Sequence, residues 1–130
     1  MNLESNKVTI NKSAKEVFDF LMKMENFEQI MPESKQKFEV LNDTRFLFQL
    51  KGMPEIVLEQ KDQEAPSKVV LGAASEKLPF TLTANIDEVE EGKTETQLIF
   101  EGQFNAMMGM MIKNPIQNFI NSLSENLGKI

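Results

Sequence analysis

Along the chain the spacing of apolar residues changes period twice. Val8 and Ile10 alternate with Lys7 and Thr9, which predicts a short first strand. Ser13-Ala14-Lys15-Glu16 fits a capping box, with Ser13 accepting from the Glu16 amide and Glu16 reaching back to the Ser13 amide. Val17, Phe18, Leu21 and Met22 follow at helical spacing and form one apolar face. Phe27 and Ile30 predict a second short helical turn, ended before Pro32. From Lys37 the period drops to two. Phe38 and Val40, then Phe46, Phe48 and Leu50, then Ile56 and Leu58 alternate with mostly polar neighbours. Val69 and Leu71 continue the pattern, as do Leu82, Ala84 and Ile86, and finally Leu98, Phe100 and Phe104. Asn42-Asp43, Glu64-Ala65-Pro66 and Glu91-Gly92 supply turn chemistry between these runs. Six successive strands with one apolar face make an antiparallel meander.

The last 25 residues return to helical spacing, with Met108, Ile112, Ile116, Phe119, Leu123 and Leu127 in one stripe. Such a helix runs roughly 37 Å, against about 33 Å for a ten-residue strand, so it is long enough to cross the sheet. Pro115 lies inside it and removes one bond, to the Met111 carbonyl. Asn114-Pro115 also reads as an N-cap followed by a first-turn proline, so a kink or a break is expected there. The fold class predicted is α+β: a seven-stranded antiparallel sheet around a long C-terminal helix, with two short helices between strands 1 and 2. With 130 residues and no linker or repeat, the chain is expected to be one domain spanning 1–130.

Composition narrows the chemistry. There are 14 Lys+Arg against 20 Asp+Glu, a net charge of −6, which disfavours nucleic acid and anionic membrane as partners. No apolar run suits a signal peptide or a membrane span, so a cytoplasmic protein without integral membrane contact is expected. The absence of Cys and His removes thiolate and imidazole nucleophile pairs and the usual soft metal ligands, so no metal and no cofactor is expected. What is abundant is Phe, at 10, and Met, at 9.

The order of elements, together with the opening run from Val8 through Asn11-Lys12-Ser13-Ala14 to Val17-Phe18-Asp19-Phe20-Leu21, resembles the START-related superfamily, which includes polyketide cyclase-like, lipid-transfer and coenzyme Q-binding proteins. Pro32, in Gln29-Ile30-Met31-Pro32, resembles a further landmark, although the Trp that often precedes it is missing. The resemblance covers nearly the whole chain. It implies a helix-grip fold with an apolar cavity between sheet and helix, and lipids, quinones or polyketides as ligands. Fold alone does not establish function.

Parity assigns the lumen. Phe46, Phe48 and Leu58 face it from the first half of the meander, and Leu82, Leu98, Phe100 and Phe104 from the second. Met108, Met111 and Ile112 face it from the helix. Gln36, Gln60, Thr94 and Thr96 are its polar members, and no charged residue clearly points inward. Every second connection of a meander shares an end. One end therefore gathers Met31-Pro32, Gly52-Met53-Pro54, Lys77-Leu78-Pro79 and Asn105-Ala106-Met107-Met108, an apolar rim opposite a polar one. Met31, Met53, Leu78 and Met107 are thus candidates for a pocket mouth or a contact patch, with a cap on the core as the alternative. Met107, Met108, Met110 and Met111 around Gly109 read as a soft lid or as gap-filling core. Arg45 is assigned to a surface ion pair, and Glu59, Glu95 and Glu101 to a solvated face. Three readings stand at this point: non-catalytic binding of a hydrophobic small molecule, a protein-interaction module or homodimer using the rim, and a cyclase-like enzyme.

Overall fold

The computed structural model describes residues 1–75 and 79–130. The chain opens with β1 (Asn2–Glu4) and β2 (Val8–Ile10), which pair in turn with the same late strand. The predicted first strand is thus the second of two short segments. Together they bring the sheet to eight strands rather than seven. Ser5 divides them: its hydroxyl accepts from the Leu98 amide at 2.9 Å, so the chain stays tied to the sheet between the segments.

The capping box forms as expected. Glu16 N donates to Ser13 Oγ at 3.2 Å, and Ser13 N donates to Glu16 Oε1 at 3.3 Å. It starts α1 (Ala14–Leu21), whose Val17, Phe18 and Leu21 are buried. A 3-10 turn (Met24–Asn26) leads into α2 (Phe27–Ile30), which ends before Pro32. The meander then runs through β3 (Lys35–Asn42), β4 (Arg45–Leu50), β5 (Ile56–Glu64), β6 (Lys68–Ala73), β7 (Phe80–Glu90) and β8 (Lys93–Gly102). All pairings are antiparallel, in the order β1-β8-β7-β6-β5-β4-β3, with β2 also on β8. Gly52, at φ 80°, makes the tight β4–β5 connection, a backbone conformation that side chains with a Cβ resist.

The strand parity read from the chain holds along β4 to β8, where Phe46, Phe48, Leu58, Leu82, Leu98 and Phe100 are all buried. It fails on β3. The register shifts between Lys35 and Lys37, so Gln36 falls in the irregularity and is exposed rather than facing the lumen. Val40, at 40% exposure, also lies outside the core, because β3 is the edge of the sheet beyond the reach of the long helix.

That helix, α3 (Ala106–Leu127), is continuous through Pro115, so the chain does not break there. Asn105 caps it, Oδ1 accepting from Met108 N at 2.8 Å, and Asn114 is interior. The bond that Pro115 removes belongs to the carbonyl of Met111, a residue 72% exposed, where water can take it. The second half of α3 is anchored on three sides. Phe119 stacks on Phe48 of β4 with centroids 5.0 Å apart. Gln117 Nε2 donates to Glu4 O at 2.9 Å and Ser124 Oγ to Asn6 O at 3.0 Å. Asn126 Nδ2 donates to Ile30 O at 3.0 Å, tying α3 to α2.

The parity has a direct test. Phe100→Asp puts an unpaired carboxylate into a side chain's place that is 3% exposed. It should cost on the order of 4 kcal/mol or more and leave little folded protein. Glu101→Lys, one residue on and exposed, should change stability by less than about 0.5 kcal/mol. Circular dichroism melts of the two variants would show the ranking, and the reverse order would refute the assignment of faces.

Candidate functional site

The middle of the sheet–helix interface is filled. Phe46 stacks on Phe27 at 4.9 Å and on Phe38 at 5.3 Å, and Phe48 stacks on Phe119, so aromatic rings occupy the space beneath α3. Leu82 and Leu98 border an enclosed void of only about 20 Å³, among Leu21, Leu71 and Leu123. That is room for one water at most. Phe46, Phe48, Leu58, Leu82 and Leu98 are therefore buried in the core, and none of them lines the groove at the start of α3.

Several of the expected lumen and mouth residues meet instead at the start of α3. A groove of about 490 Å³ runs between the first three turns of the helix and the open end of the sheet. Phe100, Phe104, Met108, Met111 and Ile112 line it, with Met53 and Met107 from the expected mouth. The floor is aromatic: Phe80 and Phe104 pack on Phe100 with centroids 5.1 and 6.2 Å away. Pro54, Ile56, Pro115 and Ile116 complete the walls. The helix supplies Met107, Met108 and Met111 together because residues three and four apart share a face. Met110 points elsewhere and is 82% exposed.

Met31 is not at this mouth. It is 8% exposed, and its carbonyl accepts from Asn126 at 3.3 Å, near the far end of α3. Asn126 lies roughly 22 Å along the axis from Met111 at 1.5 Å per residue. The alternate connections do share an end of the sheet, since Pro32 and Met53 line one pocket, but Met31 itself is buried against the last turns of α3. Leu78 lies outside the described residues. Phe80 is not expected from the alternating pattern, whereas Pro54 belongs to the apolar rim and Pro115 to the helix, neither of them expected as a wall residue. Phe80 opens its strand beyond the alternating run, and the prolines carry a turn signal that masks their apolar surface.

Among the described residues, no charged side chain lines the groove; Asn105 is its one polar side chain, and it caps α3. The charged groups lie elsewhere. Arg45 Nε donates to Glu59 Oε2 at 2.6 Å, the surface ion pair expected. Glu59 is less solvated than expected, since Lys61 also binds it. The hydrogen bond from Lys61, with Arg45 beside it, holds the Glu59 carboxyl below its ordinary value. That stabilisation is present above the ordinary glutamate pKa and is lost as pH falls through the lowered one. Of the expected polar lumen members, Gln60 Nε2 donates to Met22 O at 3.1 Å and Thr94 Oγ1 to Lys12 O at 2.7 Å. The Thr96 hydroxyl is buried without a hydrogen-bond partner among the described residues.

No protein-family model and no curated protein matches the chain. Solved structures do. Norcoclaurine synthase from Thalictrum flavum, in complex with dopamine and hydroxybenzaldehyde, aligns at TM-score 0.78 and 8% identity, over 99% of this chain and 84% of that one. The di-domain ARO/CYC BexL of the BE-7585A biosynthetic pathway aligns at TM-score 0.66 and 11% identity, over 98% of this chain and 46% of that one. The Aha1 dimer from Colwellia psychrerythraea aligns at TM-score 0.66 and 13% identity, over 100% and 99%. At such identities the likeness is one of fold. The chain shares the helix-grip fold of these structures, the fold expected from its opening strand and helix. Among the described residues, no helix is long and apolar enough to cross a membrane.

The orphan hydroxyl generates a prediction of its own. Thr96→Val keeps the shape of the side chain and removes a buried group that has no partner. It should leave the melting temperature unchanged or raise it, by up to about 1 kcal/mol of stability. A loss of more than about 1 kcal/mol in a denaturant titration would mean that the hydroxyl is bonded after all.

Proposed function

We propose that the protein binds a hydrophobic small molecule, of lipid, quinone or polyketide-like character, non-covalently in the groove at the start of α3. The observation that carries this is the groove itself. Its volume, about 490 Å³, falls within the roughly 300–1,000 Å³ usual for small-molecule sites. Its walls are Phe, Met, Ile and Pro, which favour apolar surface without fixing a hydrogen-bonding pattern. General acid–base catalysis needs an ionisable group within reach of the substrate, and the lining offers none among the described residues. Binding or carriage is therefore favoured over a cyclase-like reaction. The structural neighbour that holds dopamine and hydroxybenzaldehyde supports the reading, since the same fold there accommodates small aromatic molecules.

A second reading has its own observation. Met107, Met110 and Met111 are 76%, 82% and 72% exposed, more than a pocket wall requires. A homodimer formed through this rim would cover them, and the Aha1 neighbour is described as a dimer. Concentration-dependent sedimentation distinguishes the two, because a monomer that still binds an apolar probe leaves the dimer without a role in binding.

The binding reading predicts that anilinonaphthalene sulfonate fluoresces with the native protein. Met108→Gln with Met111→Gln should weaken its affinity about thirtyfold, each change forfeiting roughly 1 kcal/mol of apolar burial. Gly109→Ala should stiffen the first turns of α3 by about 1 kcal/mol and slow dye entry more than it alters affinity. The new methyl meets only the flexible end of Met1, at 3.1 Å, which can give way. Polar substitutions at Asn42 and Glu91, in the opposite connections, should do neither. Native protein that binds no apolar probe would sink the proposal.

A further inference from the structure

We propose that the methionines at the start of α3 are a reversible oxidation site, at which conversion of the Met107 and Met111 thioethers to sulfoxides lowers the affinity of the groove for apolar ligands. The proposal rests on the binding function inferred above.

The chain contains no Cys, Trp or Tyr, so no thiol or electron-rich aromatic side chain of its own competes for an oxidant. Its 9 Met are the most readily oxidised groups it has. Burial sorts them. Met24 is 1% exposed and Met31 is part of the core, whereas Met107, Met110 and Met111 are largely in solvent. Susceptibility follows exposure, so oxidant reaches the start of α3 first. The oxidant class is a two-electron peroxide. A sulfur lone pair attacks one peroxide oxygen, an S–O bond forms, the O–O bond breaks, and the second oxygen leaves as water. Sulfur is oxidised by two electrons and the peroxide is reduced by two. A thiol-dependent reductase reverses the change, its two thiols becoming a disulfide as the oxygen leaves as water.

The geometry makes the change consequential where an exposed methionine also lines the groove, above all at Met107 and Met111. Met107 and Met111 both line the groove, one helical turn apart. A sulfoxide is a strong acceptor, and the wall, apolar apart from the Asn105 amide, offers it little. Among the described residues Asn105 is the only polar side chain there, held at the helix start by its cap on Met108 N. Met107 and Met111 are already 76% and 72% exposed, so water is the readiest donor to the oxidised side chains and draws their apolar surface out of the wall. Met110 does not line the groove, so its oxidation is silent and serves as an internal reference.

The test treats native protein with hydrogen peroxide, removes the excess with catalase, and reads two things. Trypsin releases residues 94–113, which carry Met107, Met108, Met110 and Met111, and residues 24–35, which carry Met24 and Met31. Mass spectrometry should find oxygen entering the first peptide about tenfold faster or more. Anilinonaphthalene sulfonate affinity should fall about tenfold once Met107 and Met111 are oxidised, and should return after methionine sulfoxide reductases A and B. A Met107→Leu, Met111→Leu variant, compared with its own untreated sample, should lose no affinity on the same treatment. Equal oxidation of the two peptides, unchanged dye affinity after full oxidation, or an equal loss in the Leu variant each overturns the proposal alone. Absence of dye binding by untreated protein overturns the binding function and this proposal with it.

Discussion

A helix of 22 residues lies on a floor that covers little more than its second half. This mismatch organises the rest of the molecule. From Ile116 onward α3 buries Phe119, Ile120, Leu123 and Leu127. Its polar positions there bond to β1, to the β1–β2 link and to α2. Before Ile116 the stripe continues in composition but not in burial, since Ile112 is only partly covered and Met108 and Met111 are exposed. Burial of apolar surface is the main force holding a helix to a sheet, so the two halves differ in how firmly they are held. Pro115 stands at the boundary and removes one more bond from the looser half.

The phenylalanines determine where open space is left. A lumen beneath the anchored half would need small or divergent side chains. Here Phe27, Phe38, Phe46, Phe48 and Phe119 converge instead, in stacks between 4.9 and 6.0 Å. Each such ring is worth roughly 0.5–1.5 kcal/mol beyond its area, so the filled middle contributes stability where a cavity would cost it. The second aromatic group, Phe80, Phe100 and Phe104, has no helix residue inserted among its rings and faces open space. Both groups come from the same alternating pattern. Only the position of α3 over the sheet distinguishes them.

That is why the fold was legible in the chain and the site only partly so. Period-two alternation from Phe46 to Phe100 states which way each side chain points, and the capping box at Ser13 marks a helix start to the residue. Neither states which inward residues meet one another. Phe46 and Phe100 are equivalent by parity, yet one lies beneath Phe27 and the other borders the groove. Met31 and Met53 are equivalent by connection parity, yet Asn126 reaches one of them and not the other. Gln36 and Val40 were misread for a related reason: alternation assumes an unbroken register and a covered face, and the edge strand β3 has neither. Such facts are tertiary and depend on where one helix lies on a sheet.

The choice of methionine in the loose half follows from the same mechanics. A wall that is not held against a fixed partner cannot rely on shape complementarity, which rewards branched side chains locked in one rotamer. It needs side chains that stay apolar while changing shape. Met has three rotatable bonds and no branch, and meets that requirement at little conformational cost to the helix. Leu or Ile at 107, 108 and 111 would present a stiffer wall on a helix start that already contains Gly109 and precedes Pro115. Met53, across the groove on the turn set by Gly52, extends the same adaptable surface to the sheet side. The groove therefore pairs a rigid aromatic floor with a deformable roof. Such a pairing admits apolar ligands of several shapes and selects among them weakly, which suits carriage of a hydrophobic class better than recognition of a single compound.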